Sequence, residues 1–134
     1  MKEEIEEKVE LTENDLAIYK TEFLKWTEVF GLLGWSFYFK LDDLKGNYGD
    51  ILYNMVGRTA TVRLNKKMEK ELYSIEQVKQ TAFHECCELF LGRLVSLAEY
   101  RYATADEIEE ETHSIIRTME YIKENYTFVK KPIL

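Results

Sequence analysis

Residues 81–90 read TAFHECCELF and place His84, Glu85 and Glu88 in the pattern H-E-x-x-E. On a helix, H-E-x-x-H supplies two imidazole ligands to zinc and a glutamate that acts as base. Here a glutamate stands where the second histidine would be. A helix turns by about 100° per residue, so His84 and Glu88 lie roughly 40° apart, one turn removed. Both side chains can reach one cation, and imidazole nitrogen and carboxylate oxygen are both ordinary zinc ligands. Glu85 projects to the Glu88 side, where a carboxylate can take a proton from water on the metal. A His–Glu pair carries more negative charge than a His–His pair. It is therefore expected to bind zinc less selectively and to activate water less strongly. The bland alternative is a surface i,i+4 pair that stabilises the helix by about 0.2–0.5 kcal/mol.

The context of the motif favours the metal. From Leu89 to Leu97 the segment is apolar on nearly every side, as in a buried helix, and ionisable groups on a buried helix need partners. A third ligand has several candidates. His113, the only other histidine, lies in EEETHSIIRTMEYI. With His84 and Glu88 it would complete a two-histidine, one-carboxylate site. Its position off the Ile108–Ile115–Met119–Ile122 stripe is equally compatible with solvent exposure. Glu109 and Glu110 are substitutes, and Cys87, about 60° from His84 on the side away from Glu88, could replace Glu88. Cys86 points almost opposite to His84 and reads as core.

These residues need elements to position them. Thr12 caps a first helix, with Asp15 three residues on. Leu16, Tyr19, Phe23, Trp26, Phe30 and Leu33 recur at helical spacing, and Gly34 is the candidate stop. Three short strands then follow: 35–41, alternating around aromatics, 51–56, and 59–64 (TATVRL), separated by turn-rich KGNYGD and by Gly57-Arg58. Their close spacing predicts an antiparallel meander. Residues 65–73 read as a charged connection containing a short helical turn. Ser74 and Gln77 form a capping box that opens the motif helix, which should reach about Ala98 or Tyr100. Thr104 opens the last helix, which should reach about Asn125. Residues 1–11 are charge-rich and expected to fray, and the tail FVKKPIL carries the sole proline, Pro132. The expected fold class is α+β, one domain over residues 1–134.

Composition narrows the function. The chain has 134 residues, 46% hydrophobic and 32% charged, with a net charge of −7. That balance suits a globular core and argues against broad nucleic-acid binding, which needs a basic face. A small basic cluster, Arg58, Arg63, Lys66 and Lys67, reads as a solvated strand end. The two cysteines are adjacent, so no disulfide framework is expected, which fits a reducing cytoplasm. The N-terminus lacks an apolar core of the kind a secretion signal has, and no run approaches the ~18 apolar residues of a membrane span.

The order helix, strands, motif helix, helix resembles that of minimal zincin-like metallopeptidases, including the SprT-like group. The closer likeness is to small metallopeptidases encoded by phages and prophages. There the motif helix reads H-E-hydrophobic-x-H-hydrophobic-hydrophobic-L, and a pattern like E-x-H-x-I-I-R-x-x-E follows. TAFHECCELFLGRL and EETHSIIRTME look like both, and the likeness spans roughly residues 16–125. It implies a zinc-dependent peptidase of a host cytoplasm, with His84 and His113 as ligands, Glu88 in the second histidine's place and Glu85 as base. It also implies that the strand before the motif helix, RTATVRLN (58–65), forms a cleft edge to which an extended peptide can add. The alternative is an acidic, non-catalytic interaction protein on the same scaffold, binding a host or phage protein.

Overall fold

The computed structural model describes residues 7–126. The remainder of the charged N-terminal segment and the tail with Pro132 lie outside the described residues. The fold is α+β: β1 (Lys8–Glu10), α1 (Glu13–Val29), β2 (Ser36–Asp42), β3 (Gly49–Asn54), β4 (Thr59–Asn65), β5 (Lys67–Glu69), α2 (Ile75–Glu99) and α3 (Ala105–Asn125).

The helix starts follow their caps. Thr12 and Asp15 bond reciprocally at the head of α1, and Thr104 and Glu107 do the same at α3. Ser74 accepts from the Gln77 N–H at the head of α2, but the Gln77 side chain turns to Thr81, so only half of the expected box forms. Helix α1 stops at Val29, before the expected Gly34. The left-handed φ of +69° at Gly31 lets the Leu32 N–H turn back to the Thr27 carbonyl at 2.9 Å. An earlier glycine in the left-handed region thus ends the helix first.

The three-stranded sheet has the order β2-β4-β3. β3 and β4 form the expected antiparallel hairpin, but β2 pairs with β4 in parallel. The expected meander is therefore a mixed sheet. β2 and β3 stand one strand apart, joined by the loop 43–48, and β4 fills the gap between them. This placement changes the role of residues 58–65. β4 bonds to a neighbour on each side and offers no free edge; the edge strand beside α2 is β3. Its central position also explains why β4 is the most buried strand, with Ala60, Val62 and Leu64 alternating inward.

Helix α1 lays Tyr19 and Phe23, both fully buried, against the sheet, and Phe23 meets the Phe37 and Phe39 rings edge-on at 5.1 and 5.5 Å. A second, two-stranded ribbon pairs β1 with β5, and Met68 anchors it in the core. Residues 8–10, expected to fray, are held there, and the connection 65–73 contains a strand followed by a turn at 70–72. Helix α2 is not buried all round: Leu91 and Val95 are 41% and 44% exposed. Among the described residues, no helix is long and apolar enough to cross a membrane.

Candidate metal centre

Helix α2 buries Val78, Thr81, Ala82, Glu85, Cys86, Leu89 and Gly92, a seam at spacings of three and four. Glu85 lies within this seam and is only 3% exposed. His84 and Glu88 flank it on the solvent side, with Nε2 and Oε1 3.8 Å apart and side chains 66% and 53% exposed. The three residues each offer a ligand atom, and these atoms all lie within 4.8 Å of one another. The Glu85 Oε2 atom is buried without a hydrogen-bond partner. Burial first, then hydrogen bonding and charge from Glu88, then the charge of Asp50, push the Glu85 carboxyl up to about 8.

Glycines set how closely the sheet approaches this helix. A Cβ on Gly49 would lie 2.8 Å from Thr81 Cγ2 and 2.9 Å from both the Arg63 carbonyl oxygen and the Tyr19 hydroxyl. At the other end, a Cβ on Gly92 would lie 2.9 Å from the Tyr53 ring. β3 therefore runs alongside α2 from Thr81 to Gly92, past Glu85. Beneath it the Tyr19 hydroxyl donates to the Arg63 carbonyl at 2.9 Å. Burial above all, then the charges of Glu85, Asp50 and Glu88, push that phenol well above its usual range. Arg63 grips Asp50 through two nitrogens and reaches Asp42 at 3.1 Å. A shallow cleft of about 260 Å³ opens above the motif, between the loop residues Gly46, Asn47 and Tyr48 and the α2 residues Gln77, Gln80 and His84.

The structure brings His84, Glu85 and Glu88 together and leaves His113 elsewhere. His113 is exposed on α3, and its Nδ1–H donates to the Glu109 carbonyl at 2.9 Å. α3 packs on α2 through the Arg93–Glu111 pair at 3.0 Å and around Ile115. Arg93 is nine positions beyond His84, about 900° of helix rotation, which is half a turn away. The helix carrying His113, Glu109 and Glu110 thus covers the face of α2 opposite His84. Glu109 and Glu110 are exposed there as well. Cys86 is buried in the core and Cys87 is half-buried; both thiols are free and raised by burial.

Several residues of the site escaped sequence reading. Gly49 and Asp50 belong to KGNYGD, which reads as a turn, and Tyr19 reads as core. Arg63 carried a usable signal: in TATVRL it alternates with Val62 and Leu64, so it faces away from the core, where an acid on a neighbouring strand can meet it.

The donor set suits a borderline divalent cation such as zinc. It combines one imidazole with two carboxylates, and one carboxylate holds a buried acceptor without a partner. All three residues come from just over one turn of one helix, and His84 and Glu85 line the cleft. Compared with known proteins, the chain matches no family model, no curated protein and no solved structure.

Proposed function

We propose that this protein is a zinc-dependent hydrolase of the peptidase type, with His84 and Glu88 holding the metal and Glu85 serving as base. The observation that carries the reading is Glu85: a buried carboxylate with an unpartnered oxygen, beside two exposed donors, at the foot of an open cleft. A structural surface pair has no need of such a residue, and a general base works best when its pKa lies near the working pH. When bound, zinc supplies Lewis-acid polarisation of a carbonyl and a lowered pKa for water. The protein's own part is positional. β3, seated by Gly49, walls one end of the cleft, and an extended peptide would add along its outer edge. Glu85 takes the proton of the attacking water and returns it to the leaving amine.

Metal analysis by mass spectrometry after dialysis against trace zinc tests this. About one zinc per chain is expected, lost in His84→Ala and in Glu88→Ala. Glu85→Gln should retain zinc and lose peptide hydrolysis by about 10²-fold or more. An unsubstituted protein that binds no zinc sinks the proposal. One observation favours the second reading, a non-catalytic interaction protein. Large apolar residues stand exposed on α2 and α3, among them Val95 at 44% and Met119 at 58%. Under that reading the protein captures a protein partner and needs no metal.

A further inference from the structure

The cleft wall opposite α2 is the loop 46–48, and one side chain outside the loop ties it down. Asn65 ends β4, the central strand. Its Nδ2 donates to the Leu44 carbonyl at 2.6 Å and to the Asn47 carbonyl at 2.8 Å. Its Oδ1 accepts from the Lys67 N–H at 3.1 Å, and its own N–H donates to the Tyr48 carbonyl at 2.8 Å. Both Nδ2 partners are carbonyls, so the side-chain amide has one workable orientation. Gly46 takes a φ of +80°, which lets the loop turn back over the cleft mouth. With a half-turn at Gly46 and carbonyls fixed on both sides of it, the loop presents Asn47 and Tyr48 to the cleft in one arrangement.

We propose that loop 46–48 is the substrate-recognition wall of this cleft and that Asn65 is its positioning residue. The lining also gives the substrate class. Asn47, Gln77 and Gln80 offer side-chain amides, and no lysine or arginine lines the cleft among the described residues. The cleft therefore has neither with which to pair an anionic group such as a phosphoryl. Uncharged groups that both donate and accept, as a peptide backbone does, fit it. The inference rests on the hydrolase reading given above.

The test uses the full chain, zinc-loaded, with Asn65→Asp. This variant keeps the side-chain shape and sets a carboxylate against two carbonyls. Three readouts run beside the unsubstituted protein: amide hydrogen exchange at residues 46–49, zinc affinity by competition with a chromophoric chelator, and steady-state cleavage of fluorescein-labelled casein. Expected are exchange faster by roughly tenfold and KM higher by roughly tenfold, with kcat and zinc affinity within about twofold. Gln80→Leu, which leaves the clamp intact, should also raise KM without changing exchange. Unchanged exchange in Asn65→Asp overturns the clamp. Faster exchange with unchanged KM overturns the recognition role. If Asn65→Asp does not fold, Gln80→Leu and Asn47→Ala decide, and an unchanged KM in both overturns the proposal. An unsubstituted protein without zinc or cleavage fails the hydrolase reading instead, and the exchange comparison then still judges the clamp.

Discussion

Two groups of carboxylates lie within a short distance of each other in this protein, and they are treated in opposite ways. Asp42 and Asp50 share Arg63, which bonds to Asp50 through two nitrogens and to Asp42 through a third. The Asp43 backbone N–H, Lys40 and Arg63 hold the Asp42 carboxyl below its usual value. Glu85 and Glu88 have no such partner. Among the described residues, the only basic group within ion-pair distance of them is His84, facing Glu88 at 3.8 Å. The more buried acid is thus the worse satisfied, and its carboxyl rises where that of Asp42 falls. The first group closes the sheet surface and needs nothing further. The second keeps a buried oxygen without a partner, which a cation or a proton would satisfy.

The largest effect that can break this contrast is a change of sign between two conservative substitutions. In metal-free protein at pH 9, above the raised value of about 8, Glu85→Gln removes a buried charge with an unpartnered oxygen. It should stabilise the fold by about 1–3 kcal/mol. Asp50→Asn removes the bidentate partner of Arg63 and should destabilise by a similar amount. Chemical denaturation of both variants checks this. Equal signs would mean that Glu85 is satisfied by something other than a metal, and the centre would lose its argument. Added zinc should reverse the order for Glu85, stabilising the unsubstituted protein more than the variant.

A second effect, smaller within any one pH unit, is the pH dependence of the metal-free protein. The Glu85 carboxyl has a raised folded-state pKa of about 8, against an ordinary value of 4.5. Below the lower value it is protonated in both folded and unfolded chains. Between the two, only the unfolded chain releases its proton, so stability should fall as pH rises, by at most about 1.4 kcal/mol per pH unit. Above the upper value this contribution is flat. Glu85→Gln should remove that slope, and saturating zinc should weaken it by favouring the ionised carboxylate. Melting temperatures at half-unit pH steps measure the difference. A slope that survives in Glu85→Gln assigns the titration to another group.

The helices and the motif were legible in the sequence because their signals are local. Thr12, Ser74 and Thr104 mark three helix starts, and the spacing of His84 and Glu88 alone puts them on one face. The pairing of β2 with β4 was not legible, since alternation identifies a strand but not its neighbour, and hairpin spacing favours the neighbour in sequence. The same limit hid Asn65, Asp50 and Gly49, whose roles depend on which strand lies beside which element. Exposure of Leu91 and Val95 was misread for a related reason: a helix apolar on all sides looks buried until the number of elements available to cover it is known.

The smallest expected effect concerns the two histidines, and it sharpens the contrast most directly. His84 stands beside Glu85 and Glu88 on α2, whereas among the described residues His113 bonds only to the Glu109 carbonyl of its own helix. α3 reaches α2 through Arg93, half a turn around from His84. His113→Ala should therefore leave zinc stoichiometry and hydrolysis unchanged and alter stability by no more than about 0.5 kcal/mol. His84→Ala in the same assay should lose the metal. The two variants delete the same side chain, so any difference comes from position alone. If His113→Ala also released zinc, α3 would have to reach the motif face of α2. The helix packing given by Arg93 and Glu111 would then not be the arrangement that binds metal.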